Sequence, residues 1–120
     1  MVRTGPSNPN TRALINSLKK TSTKHDVGIW SRVAELVSRP ARKRPVVNVG
    51  KINRHTEEGD TVVIPGKVLG SGVLRHKVTI AALNTSKSAA SLILGAGASL
   101  ITIQELLEKN PNGSDIIVLT

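Results

Sequence analysis

Residues 78–109 read VTIAALNTSKSAASLILGAGASLITIQELLEK, and the order of apolar runs and breaks within them decides the fold class. VTIAAL (78–83) is continuous enough in apolar residues to be a central strand, covered on both faces. Asn84-Thr85-Ser86 offers short polar side chains that can cap a helix over KSAASLIL (87–94). GAGASLIT (95–102) reads as a glycine-rich turn followed by a strand. Thr102-Ile103-Gln104-Glu105 has the capping-box form, in which Thr and Glu satisfy each other's exposed amides, and it opens a helix over IQELLEK (103–109). Strand, helix, strand, helix in that order favours a largely parallel sheet and an α/β fold.

The pattern continues on both sides. Asn110-Pro111-Asn112-Gly113 stops the last helix, and DIIVLT (115–120) reads as a closing strand. Upstream, TVVIPG (61–66) reads as a strand ended by Pro65-Gly66, and VVNV (46–49) as a shorter one. Val46, Val47, Ile64, Val78, Ile80, Leu83, Ile93 and Ile117 are the expected scaffold. Residues 1–45 differ in character. MVRTGPSNP (1–9) reads as an extended arm, and Asn8-Pro9 suits a helix start. Leu14, Ile15 and Leu18 make a narrow apolar stripe, which TSTKH (21–25) interrupts. Asp26 can cap a second helix, whose stripe is Ile29, Trp30, Val33, Leu36 and Val37. Trp30 is expected in the core against the first helix. Ser38-Arg39-Pro40 ends this helix, and ARKRP (41–45) is a basic linker. The expected division is therefore a basic two-helix extension over 1–45 and a compact domain of alternating strands and helices over 46–120.

Charge is distributed as unevenly as structure. The net charge is +9. Residues 1–54 hold twelve Lys or Arg against Asp26 and Glu35, while residues 55–120 hold five against six acids. SRPARKRPVVNVGKINRHT (38–56) carries Arg39, Arg42, Lys43, Arg44, Lys51 and Arg54 with no acid at all. Repulsion of this kind costs stability unless a partner supplies negative charge, so a polyanion binder is expected.

Several function classes fall away. The chain has no cysteine, which removes disulfides, thiolate zinc sites and a cysteine nucleophile. His25, His55 and His76 are scattered without metal-ligand spacing, and no serine stands in a G-x-S-x-G elbow. Glu57-Glu58-Gly59-Asp60 reads as a solvated turn rather than an acid–base pair. IPGKVLGSG (64–72) lacks the first glycine and the Ser or Thr of a Walker loop, and GAGAS has half of a dinucleotide fingerprint. No apolar run is long enough to span a bilayer, and there is no charged start with an apolar core behind it. The expectation is a soluble, cytoplasmic protein without catalytic residues, metal, cofactor, membrane or small-molecule substrate.

Among polyanions, folded RNA fits best. Binders of single strands stack bases on aromatics, and this chain has one Trp and neither Phe nor Tyr. Neither N-terminal helix shows an obvious set of base-reading side chains. Basic arms and linkers suit phosphate and sugar contacts on folded RNA.

At KVLGSGVLRHKVTIAALNTSKSA (67–89) the sequence resembles the signature of the archaeal and eukaryotic L-eighteen-e family of ribosomal proteins, distant relatives of bacterial L-fifteen. The resemblance rests on Lys67, Gly70-Ser71-Gly72, Arg75-His76-Lys77, the strand after them, and Ser86, Ala89 and Ala90. TRALINSLKK (11–20), IWSRVAELVSRPARKRPVVNVGKINR (29–54) and GSDIIVLT (113–120) extend it over essentially the whole chain. It implies a structural, non-enzymatic component of the large ribosomal subunit, bound to ribosomal RNA and neighbouring ribosomal proteins. It also implies a core of irregular strand–strand–helix repeats behind an N-terminal extension, with the Gly70–Gly72 turn and Arg75–Lys77 near RNA. The compact length resembles archaeal members. The RNA-contacting residues expected from charge and resemblance together are Arg3, Arg12, Lys19, Lys20, Lys24, Arg39, Arg42, Lys43, Arg44, Lys51, Asn53, Arg54, Lys67, Arg75, His76, Lys77 and Lys87. Two alternatives stay open at this point: a small nucleotide-binding enzyme using a glycine-rich loop, and a DNA-compacting architectural protein.

Overall fold

The computed structural model describes residues 9–25 and 28–120. The arm, with Arg3 and Asn8, and the expected cap Asp26 lie outside the described residues. Among the described residues, five α-helices and five strands form three layers: α1 (Pro9–His25), α2 (Gly28–Val37), β1 (Val46–Asn48), α3 (Val49–His55), β2 (Thr61–Leu69), β3 (Thr79–Thr85), α4 (Lys87–Gly95), β4 (Ser99–Thr102), α5 (Ile103–Lys109) and β5 (Ile116–Val118). Every strand pairing is parallel. β2 is central: β3 and then β4 lie on one side of it. On its other side β5 pairs Thr61–Val63 and β1 pairs Lys67–Leu69, so two short strands lie end to end along one long one.

Alternation along β2 and β3 sends residues to two cores. Val62, Ile64, Ile80 and Ala82 face Val49 and Ile52 of α3 and Ala89 and Ile93 of α4. Val63 and Ala81 face the opposite way, onto Leu14, Ile15 and Leu18 of α1, Trp30, Val33 and Val37 of α2, and Ile103, Leu106 and Leu107 of α5. A sheet covered on both faces is what an all-parallel arrangement requires. Trp30 is fully buried in the second core, and its indole N–H donates to the Pro111 carbonyl at 2.8 Å, a partner that a buried indole needs. The Ser86 hydroxyl accepts from the Ala89 amide and the Thr102 hydroxyl from the Glu105 amide, as expected, but the capping box is only half formed, since the Glu105 carboxylate accepts from the Thr102 hydroxyl rather than from its amide.

The structure differs from the sequence reading at four places. α1 continues through TSTKH to His25, because Thr23 turns its hydroxyl back onto the Lys19 carbonyl instead of competing for the helix backbone. VGKINRH is a helix, α3, although no side chain caps its start. β2 runs through Pro65-Gly66, since the β2–β3 register shifts between Ile64 and Lys67 and the missing proline donor falls in that irregularity. Val46, expected in the scaffold, is 58% exposed at the outer edge, while its neighbour Val47 is buried.

Candidate nucleic-acid interface

Parallel neighbours are normally joined through a helix. β2 and β3 are instead joined by an irregular loop, residues 70–78, and α3 holds that loop in place. The Gly50 amide donates to the Ser71 carbonyl at 2.9 Å. The Arg75 amide donates to the Asn53 side-chain oxygen at 2.9 Å. Thr56 is buried, and its hydroxyl donates to the Ile52 carbonyl at 2.7 Å. That hydroxyl has one proton, so the 2.7 Å contact to His76 Nε2 is a bond donated by the ring, and Nδ1 of the neutral ring is left as an acceptor. Leu74 pins the middle of the loop to the core.

Glycines set how closely the two segments meet. Gly72 has φ +95°, a region that residues with a Cβ rarely enter, and a Cβ there would lie 2.6 Å from Gly50 Cα. At Gly70 a Cβ would lie 2.7 Å from the Ala89 amide at the start of α4. The glycines of GKVLGSG are thus spent on packing chain against chain. Gly97, in GAGAS, has φ +78° in the turn after α4, where the Ala96 and Gly97 amides bond back to the helix. Both glycine-rich stretches have structural explanations.

The clamped segments display one basic surface. Arg54, His55, Arg75 and Lys77 are exposed, and Lys51 and His76 half-exposed. Lys51 Nζ also donates to the Thr120 carbonyl. Arg54 and His55 occupy the last turn of α3, where a cation complements the helix dipole. The linker adjoins this surface across β1: Arg42 and Lys43 are exposed in a 3-10 turn, and the Pro45 carbonyl accepts from the Lys67 amide at 3.0 Å. Lys67 and Lys87 are exposed near the carboxyl end of β2 and at the first position of α4. Among the described residues, none of Arg42, Lys43, Arg54, Lys67, Arg75, Lys77 or Lys87 pairs with a carboxylate; the side-chain ion pairs found are Arg32 and Arg39 with Glu35.

Other expected contact residues are placed differently. Arg39 lies 3.9 Å from Glu35, so its charge is partly compensated from the turn before. Arg44 is half-buried, its Nε donates to the Val37 carbonyl at 3.1 Å at the end of α2, and burial lowers its pKa. Asn53 spends its side-chain oxygen on the Arg75 backbone. Arg12, Lys19, Lys20 and Lys24 are exposed along α1, on the opposite face of the sheet from α3. The Glu57–Asp60 turn closes on itself, Asp60 accepting from the Glu57 amide at 2.7 Å, and the Gly59 amide donates to the Lys77 carbonyl at 2.8 Å. Among the described residues there is no group of three His, Asp or Glu able to hold a metal ion, and no helix is long and apolar enough to cross a membrane. Sequence reasoning passed over Gly50 and Thr56, whose roles depend on contacts with residues some twenty positions away.

Residues 11–120 match the family model described as ribosomal protein 60S L18 and 50S L18e. The chain is 46% identical over 113 residues to the large ribosomal subunit protein eL18 of Methanococcus maripaludis, covering 94% of each chain. It is 44% identical over 116 residues to the protein of the same name from Pyrobaculum aerophilum, covering 97% of this chain and 95% of that one. With that from Methanospirillum hungatei it shares 45% over 117 residues, covering 98% and 97%. The chain belongs to the L18/L18e family of ribosomal proteins. The family resemblance of the 67–89 stretch thus holds over nearly the whole chain, and the relatives named here are archaeal. L18e proteins are structural rather than catalytic, so the alternative of a nucleotide-binding enzyme is set aside.

Proposed function

We propose that this chain is a structural component of the large ribosomal subunit, in the cytoplasm, and that it holds ribosomal RNA and touches neighbouring ribosomal proteins. The observation that carries the RNA reading is the surface made by α3 and the 70–78 loop. Lys51, Arg54, Arg75, His76 and Lys77 come together there on a rigid frame, and Arg54, Arg75 and Lys77 have no described carboxylate paired to them. Cations held in fixed geometry at a partner's surface release counterions on binding RNA, and this offsets the repulsion they suffer in the free protein. Arg42, Lys43, Lys67 and Lys87 extend the same surface around β1 and the carboxyl end of the sheet. Arg12, Lys19, Lys20 and Lys24 give α1 a second basic face, suited to another RNA segment, and Arg3 belongs to the same proposed set. Within the main surface His76 has a different task, because its Nδ1 can accept from a ribose 2′-hydroxyl where its neighbours only donate.

The test is sedimentation of a lysate at low salt and after a high-salt wash. Co-migration with the large subunit under both conditions is expected, and protein left at the top of the gradient in both would defeat the ribosomal reading. Competition between duplex DNA and structured ribosomal RNA at one salt concentration separates an architectural DNA-binding role from this one. For the linker, replacing Arg42, Lys43 and Arg44 together by Ala should weaken RNA binding and flatten its salt dependence. Unchanged affinity and slope would remove the linker from the interface.

A further inference from the structure

On the α2 side of the sheet, towards the carboxyl ends of β2 and β3, lies a cavity of about 240 Å³ lined by Arg44, Pro45, Gly66, Lys67, Leu83 and Asn84. A larger cleft of about 600 Å³ shares Leu83 with it and continues past Thr11, Ala13, Leu14, Ser17, Thr102 and Gln104. The two meet at Leu83, one end cationic and the other neutral, with mostly apolar walls and a few hydroxyl and amide groups. We propose that the cationic end receives one unpaired nucleotide of an RNA strand, with its base against Leu83 and Pro45, its edge on the Asn84 carboxamide, and its phosphate between Arg44 and Lys67. This rests on the RNA-binding reading above and names a second kind of contact, made to a base rather than to the backbone of folded RNA.

Four observations carry it. Arg44 is a half-buried cation with no described carboxylate in ion-pair reach. Its Nε–H is spent on the Val37 carbonyl, which leaves the four N–H groups of its two Nη atoms for a ligand. A cation partly withdrawn from water without a counter-charge carries a cost, and an anion seated beside it lowers that cost. The lowered pKa of Arg44 reflects the same desolvation. Next, the Asn84 side chain makes no hydrogen bond to a described residue, and a carboxamide matches the mixed donor and acceptor edge of a base. Third, the volume lies below the range of about 300–1,000 Å³ usual for small-molecule pockets, which suits one base and no larger ligand. Last, the walls are fixed in advance: a Cβ on Gly66 would lie only 1.9 Å from the Pro45 carbonyl oxygen, and the Lys67 amide is bonded to that same oxygen. A preformed site spends little binding energy on ordering itself. The neutral cleft beyond Leu83 gives room for the adjoining nucleotide.

The experiment is an NMR titration of the ¹⁵N-labelled full chain with each nucleoside 5′-monophosphate, with ribose 5-phosphate, and with short single-stranded oligoribonucleotides. At least one mononucleotide should shift the Asn84 side-chain amide and the Gly66 and Lys67 backbone amides saturably. Ribose 5-phosphate should not do so at the same concentration, and the oligonucleotides should bind more tightly than the mononucleotide. Asn84→Ala should weaken the effect by roughly two- to tenfold, the loss of one ligand hydrogen bond. Arg44→Lys should weaken it too, with the remaining amide resonances unmoved. Equal shifts from ribose 5-phosphate would mean a phosphate-only site and overturn the proposal. It would also be overturned by no shift at the groove, by Asn84→Ala and Arg44→Lys both binding like the parent, or by free mononucleotides binding more tightly than the strands. Affinity for structured ribosomal RNA, measured on the same samples, is read separately: its absence alongside a nucleotide-filled groove defeats the ribosomal reading and leaves the groove standing.

Discussion

Replacing Gly72 by Ala puts a methyl group where the 70–78 loop touches α3. Two costs follow from the geometry. A residue with a Cβ at φ +95° is strained by about 1–2 kcal/mol. The new Cβ would also stand 2.6 Å from Gly50 Cα and 2.8 Å from Gly50 N, so the segments must separate. That separation stretches the 2.9 Å bond from the Gly50 amide to the Ser71 carbonyl, worth about 0.5–1.5 kcal/mol. Together the loss is about 1.5–3.5 kcal/mol. Stability of roughly 0.05–0.15 kcal/mol per residue implies that the variant still folds, with its melting temperature lowered by roughly 10 °C. Gly59→Ala is the control: Gly59 has φ +87°, but nothing lies within 4 Å of its would-be Cβ, so only the first cost applies. Urea unfolding followed by circular dichroism measures both, provided the slopes agree. Gly72→Ala should be the less stable by about 0.5–1.5 kcal/mol, and it alone should bind ribosomal RNA less tightly, because only it shifts Arg75 relative to Arg54. Equal midpoints and equal RNA affinity for the two variants would refute the view that the loop is clamped through Gly50.

Trp30→Ala should cost about 3–5 kcal/mol through the cavity it leaves, whereas Trp30→Phe should cost less and expose mainly the loss of the Pro111 hydrogen bond; both are read from urea midpoints. Thr102→Ala removes the acceptor of the Glu105 amide and should cost about 1 kcal/mol, read from the urea midpoint. Arg54→Ala and Arg75→Ala should each weaken RNA binding and lower the slope of log affinity against log salt by about one, with little change in urea midpoint. Unaltered slopes would place those two side chains off the RNA.

The elements most legible in the sequence were those whose signals are local. Ser86 and Thr102 cap helices through bonds to residues three positions on, and the 78–109 alternation announces a parallel sheet without reference to anything distant. What stayed hidden depends on partners far away in the chain. α3 has only Val49 and Ile52 to bury and no capping bond, so it is held by the sheet and the 70–78 loop rather than by its own residues. Pro65-Gly66 looks like a stop, yet β1 and β5 leave the Ile64–Gly66 stretch of β2 unpaired on their side, which tolerates a missing donor. The basic character of the interface was visible from counting charges. Its division was not: Glu35 engages Arg39, Val37 tethers Arg44, and α1 carries its charges to the other face.

The end-to-end placement of β1 and β5 along β2 also orders the birth of the molecule. During synthesis β1 can join the upper half of β2 early, but Thr61–Val63 has an open side until Ile116–Val118 has left the ribosomal tunnel. No strand pairs with a hairpin neighbour, so loop closure must precede every pairing, and such topologies fold slowly. The nascent chain therefore carries an unfinished sheet edge while its basic residues are already exposed. A chain that engages RNA before β5 arrives would do so with Leu119 not yet in the core and one side of Thr61–Val63 still open.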